Sequence, residues 1–148
     1  VLLEALGRGV LPSIPTDVAL ELWSGFLRDH VPVLLRDVDA ASTKVAVCDA
    51  LATIPDPVLE LLPTRSRVLC ISTVMTRAHD ADDDYLRGSA IRALGHFLER
   101  RAFRDDIGFL LDALDACLGG LRTSQDRFVA IKACWALGNL LEALSLLA

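Results

Sequence analysis

One internal period constrains this chain more than any other feature of it. The segments 43–54 (TKVAVCDALATI), 86–97 (LRGSAIRALGHF) and 129–140 (VAIKACWALGNL) align without gaps, and the pairs Ala50-Leu51, Ala93-Leu94 and Ala136-Leu137 stand 43 residues apart both times. One such match is within reach of chance in a chain rich in Ala and Leu. Two equal spacings with agreeing flanks are not. A fixed step of about 20–50 residues marks a chain assembled from repeated supersecondary units, none of which buries its apolar face alone.

Within each segment the apolar side chains share one helical face. Val47, Cys48, Leu51 and Ile54 give the spacing i, i+1, i+4, i+7; Ala90, Ile91, Leu94 and Phe97 repeat it, as do Ala133, Cys134, Leu137 and Leu140. The Ala in the fixed column allows a second helix close approach. Further helical patterns fill the intervals: 66–78, and 105–118, which should stop at Gly119-Gly120 because Gly takes the left-handed C′ conformation cheaply. Asp105 and Asp106 suit the first turn of that helix, at the positive end of its dipole. Nearer the start, Pro15-Thr16-Asp17 opens a helix through Trp23 and Phe26, with Thr16 or Asp17 as cap. Pro32 removes a donor, so this helix should kink or break near His30. No window alternates polar and apolar residues between turn dipeptides, so no strand is expected. The fold class is all-α, an α-solenoid.

The whole chain, 1–148, reads as a single solenoid fragment of three units, about 15–55, 57–101 and 104–147. Two helices per 43-residue unit fall within the range of HEAT and armadillo arrays. The run 86–95 (LRGSAIRALG) resembles the second helix of a HEAT repeat, with Asp82, Asp83 and Asp84 in the acidic turn before it. Three blocks resemble the HEAT repeat-containing protein 6 family: 46–51 (AVCDAL), 92–95 (RALG) and 132–140 (KACWALGNL). Across the units Arg87 has Lys44 and Ala130 as counterparts, which breaks the cationic column of an Asp–Arg ladder. The resemblance extends over about residues 40–145 and implies a superhelical scaffold without catalytic activity or a defined ligand.

Composition removes other classes. Apolar residues make up 53% and mean hydropathy is +0.43, against the composition of disordered chains. The longest uncharged runs, 68–76 and 133–141, are nine residues each, where a membrane helix needs about 20, so no membrane partner is expected. A net charge of −5, with 13 Arg and 2 Lys scattered among 20 acids, argues against nucleic acid, whose nonspecific binding needs clustered cations. Cys48, Cys70, Cys117 and Cys134 form no CxxC pair, which suits reduced thiols in an intracellular compartment, cytoplasmic or nuclear.

Reactive constellations are absent as well. His30, His79 and His96 are far apart in sequence, without zinc-ligand spacing. Asp80, Asp82, Asp83 and Asp84 lack the calcium-loop order and read as a helix-capping turn. Cys48 and Cys134 share a column on the expected buried face, which favours inert packing. Ser89 and His96 have no oriented acid or oxyanion site beside them. Neither catalytic, metal nor cofactor residues are assigned. Arg100, Arg101 and Arg104 form a local basic cluster, answered by Asp105 and Asp106.

Away from the buried stripe lie the columns Asp49/Arg92/Trp135, Thr53/His96/Asn139 and Ala46/Ser89/Lys132. In a stacked array, equivalent positions on the second helices become rows along the concave side. Asp49, Thr53, Ser89, Arg92, His96, Lys132, Trp135 and Asn139 are therefore the expected contact residues for a protein or peptide partner, beside neighbouring repeats of a longer chain. Trp and Arg are frequent interface anchors. The alternative function is a transport adaptor, importin-like, receiving a basic cargo segment.

Overall fold

The computed structural model describes residues 14–36, 40–79 and 82–147. The chain runs α1 (Thr16–Gly25), a π-helical turn (Phe26–His30), α2 (Val31–Leu34), α3 (Ala41–Leu51), α4 (Asp56–Leu61), α5 (Thr64–Ala78), α6 (Asp84–Leu98), α7 (Arg101–Arg104), α8 (Ile107–Thr123) and α9 (Arg127–Leu147). The described residues contain no strand. Of the readings above, Asp80 lies outside the described residues.

The long helices fall into two layers. α3, α6 and α9 lie side by side with α6 in the middle, while α5 packs against α6, α8 against α9, and α5 against α8. The short helices α4 and α7 touch each other along one edge. α6 is buried at Leu86–Ile91, at Ala93–Gly95 and at Phe97 and Leu98, because it has a neighbour on each side and a layer behind. α9 has one second-helix neighbour, and its buried residues reduce to Val129, Ala133, Ala136, Leu140 and Ala143.

Sequence chemistry explains the starts of these helices. Asp83 accepts a hydrogen bond from the Leu86 N–H at 2.9 Å and opens α6. Asp106 does the same for Phe109 in α8 at 3.1 Å. Asp126 takes the N–H groups of Phe128 and Val129, at 2.8 and 3.2 Å, to start α9. Each satisfies donors that a first turn leaves free. α1, α4 and α5 begin after Pro15, Pro55 and Pro63, whose carbonyls accept the first helical bonds. Neither Thr16 nor Asp17 caps α1; the cap position is Pro15, which makes no side-chain bond.

The helix expected to falter near His30 does so by widening. The Val31 N–H bonds back to the Phe26 carbonyl, five residues away. Pro32 has no N–H to offer the Arg28 carbonyl and its ring would crowd it, so a π-turn lets the chain stay helical into α2.

One sequence expectation is overturned here. Gly119-Gly120 does not stop α8, which continues to Thr123. The pair serves close packing instead: a Cβ on Gly120 would stand 3.0 Å from Ile91 Cδ1 and 3.2 Å from Val129 Cγ1. Although its uncharged runs are short, α9, at 21 residues, is long and apolar enough to cross a membrane by length and composition alone. Here that helix packs against α6 and α8.

Arg87, only 5% exposed, ties the layers together. Its Nε donates to the Ala78 carbonyl at the end of α5 (3.2 Å), and its Nη1 to Thr123 Oγ1 at the end of α8 (2.8 Å). Thr123 in turn donates to the Gly119 carbonyl at 2.8 Å. One guanidinium thus serves two helix C-termini, where unpaired carbonyls and the dipole favour positive charge.

Candidate interaction surface

The period brings most of the predicted contact residues together on α3, α6 and α9. Arg92 Nη2 donates to Asp49 Oδ1 at 2.6 Å, joining α6 to α3 across one 43-residue step. Both side chains remain partly open, at 35% and 41%. On the next step the ring of Trp135 meets His96 edge-on, with centroids 5.0 Å apart. The same indole lies on Gly95: a Cβ there would collide with its six-membered ring. Asn139 Nδ2 donates to the Gly95 carbonyl at 3.1 Å. Lys132 Nζ sits 5.4 Å from the Phe128 ring centroid, and Phe128 stacks on Tyr85 at 5.2 Å.

Two predicted members drop out of the row. Ser89 is buried, at 2% exposure. It lies one turn before Arg92 on the side of α6 that meets α3, so its column points into the inter-helix contact. Thr53 lies past the end of α3, and its hydroxyl donates to the Ala50 carbonyl at 2.7 Å. Cys134 is exposed, contrary to its assignment to the core, while Cys48 is buried. The reason is position in the stack: in α3 this column is covered by α6, and nothing among the described residues covers it on α9. Arg100 pairs with Asp56 of α4 at 3.0 Å rather than with Asp105 or Asp106. Arg101 shares a shallow hollow with Glu60, Arg67 and Asp105, so that spot carries both signs.

Electrostatics make the row a poor reaction centre. Burial is the first cause that holds the His96 pKa below its usual 6.5, with Arg92 and Arg100 adding to the effect and Glu99, 3.4 Å from Nδ1, opposing it. Burial pushes Cys48, Cys70 and Cys117 up to about 12, so these thiols stay protonated and unreactive. Among the described residues no cluster of three or more His, Cys, Asp or Glu could hold a metal ion.

Sequence reading missed the aromatic seats. Gly88 and Gly95 are seven residues apart on α6, and Phe128 and Trp135 are seven apart on α9. A Cβ on Gly88 would collide with the Phe128 ring just as one on Gly95 would with Trp135. The matched spacing was a legible signal.

Residues 84–140 match the family described as a HEAT-like repeat. Over that stretch the chain is similar to a HEAT-type repeat. The match begins at the first residue of α6 and ends within α9, so both seats fall inside it. With the layered helices, the match is consistent with an all-α helical-repeat solenoid. HEAT-like repeats commonly serve as protein-interaction scaffolds and are generally non-catalytic. No solved structure matches the chain.

Proposed function

We propose that this chain is a non-catalytic scaffold that binds a protein or peptide partner through the row Asp49, Arg92, His96, Lys132, Trp135 and Asn139. One observation carries the reading. These side chains lie half-open over three second helices that pack side by side, linked by the Asp49–Arg92 pair and the His96–Trp135 contact, with Asn139 bonded to the Gly95 carbonyl. Such a strip offers a guanidinium, an indole face and an amide along one line, which suits a partner presenting backbone carbonyls and apolar side chains. A basic cargo segment is the weaker reading, because Asp49 is already answered by Arg92. Division into three HEAT-type units, at about 15–55, 57–101 and 104–147, belongs to the same proposal. So do kinship with the HEAT repeat-containing protein 6 family, suggested by the three blocks quoted above, and an intracellular location.

A pulldown tests the strip. Arg92→Glu and Trp135→Ala should each weaken capture of a specific partner while the helical circular-dichroism spectrum stays intact. Capture unchanged by both variants would reject this surface. Capture that fades steeply with salt and survives Trp135→Ala would favour the basic-cargo reading instead.

A further inference from the structure

The layer of α5 and α8, which carries no residue of the strip, is indented on both sides of α5. One hollow, about 840 Å³, lies between α5 and the bend of α1 into α2; Leu27, Pro32, Val68 and Leu69 line it, with Arg28 and Arg65. The other, about 460 Å³, lies between α5 and α8, lined by Ile71, Met75 and Phe109 together with Asp106 and Asp112. Val68 and Ser72 line both hollows and so form the crest between them. Val68 is 56% exposed, and Ser72 beside it is exposed and small, so the crest is low.

Charge divides along the same line. Arg65 is exposed and unpaired among the described residues, whereas Arg28 is forked onto Asp29 at 2.8 Å and is already answered. Across the crest no cation lines the second hollow. Asp106 uses one oxygen on the Phe109 N–H, and Asp112 is exposed without a bonded partner among the described residues.

We infer that the two hollows together dock one amphipathic helix of a partner protein. It lies across α5 with an apolar side chain in each hollow, an acid beside Arg65 and a base beside Asp112. Apolar hollows with a polar rim suit helix-in-groove recognition, and the opposed charges fix the direction of the incoming helix. Packed helices stand about 8–10 Å apart, so hollows on the two flanks of one helix are separated by about that distance. At a rise of about 1.5 Å per residue the occupant needs about seven residues between its anchors, two turns that return them to one face. The position midway rests on Val68 and must be small. The larger hollow, beside Arg65, takes the bulkier anchor. An acid in the first turn and a base in the last also stabilise the free helix, so the occupant reads, in chain order, acid, aromatic, small residue, aliphatic, base. This surface shares no residue with the strip, and it stands or falls separately.

The test uses the 148-residue chain and a fluorescein-labelled peptide of Ala and Gln that opens on two Glu, carries a Trp and then a Leu about seven residues later, and ends on two Lys. A second peptide exchanges the Glu and the Lys. Fluorescence anisotropy should show saturable binding of the first peptide, tighter than the second by about threefold or more. Ser72→Trp, which raises the crest at an exposed position, should weaken binding about tenfold or more while the circular-dichroism spectrum stays intact. The double variant Arg65→Glu/Asp112→Lys should invert the preference and bind the second peptide more tightly. Four outcomes would overturn the proposal: no saturable binding up to the peptide's solubility limit, binding indifferent to Ser72→Trp, a preference that the double variant leaves as it was, or binding lost on Arg92→Glu or Trp135→Ala, which would put the peptide on the strip.

Discussion

At the scale of single residues, position in the stack matters more than residue type. Gly95 and Gly138 are equivalent in sequence, both in helix interiors, yet one lies under an indole and the other faces open space. Gly138→Ala should raise the unfolding free energy by about 1 kcal/mol through helix propensity alone. Gly95→Ala gains the same propensity but must push Trp135 aside, so it should fall about 1–3 kcal/mol below the Gly138→Ala variant. Urea denaturation of the two variants decides this; equal stabilisation would mean the ring is not seated. His96 gives a second test. Because its pKa in the folded chain lies below 6.5, the unfolded chain takes up a proton first as pH falls. The contribution of the neutral ring is therefore full above about 6.5 and is lost as pH drops through the folded pKa. The melting temperature should decline between pH 7.5 and 5.5, and His96→Gln should flatten that decline. An unaltered slope would remove His96 as a cause.

At the scale of helices, sequence reading did best where a local rule and the packing agree. Asp83 caps where the acidic turn was read and the Ala-Leu columns mark the second helices, whereas Asp105 and Asp106, expected in the first turn of α8, stand before it, with Asp106 as its cap. It failed where packing overrides local preference. Gly119-Gly120 has the chemistry of a stop, but Ile91 and Val129 need the room, so α8 runs through it. Cys134 and Ser89 were misjudged because a helical wheel gives an angle and does not say which side has a neighbour. Arg87 was read only as part of a cationic column, and its partners at Ala78 and Thr123 lie on elements no local pattern connects to it. Arg87→Met should cost about 2–3 kcal/mol by stranding the buried Ala78 carbonyl and dropping the bond to Thr123. Denaturant midpoints would show it. A loss under about 0.5 kcal/mol, typical of an indifferent surface site, would mean the guanidinium holds nothing together.

At the scale of the molecule, the period of 43 does what a longer list of contacts could not: it predicts which side chains meet across helices. Asp49 and Arg92 bond one period apart, and Trp135 and Asn139 reach Gly95 at the next step. The proposed contact strip was legible to this extent: Asp49 and Arg92, His96 and Trp135, and Gly95 and Asn139 meet across the helices as the columns imply. The aromatic seats were not found, because they depend on two helices read together. The central claim is that α3, α6 and α9 lie side by side in register. Ala41, Asp84 and Arg127 open these helices at equivalent positions, and the first and last are exposed. Nitroxide labels at Ala41 and Arg127, measured by double electron–electron resonance, test the claim most directly. Neighbouring axes stand about 8–10 Å apart, so two steps predict one narrow distance population near 20 Å. A broad distribution, or a population beyond about 35 Å, nearly double the two-step spacing, would contradict it.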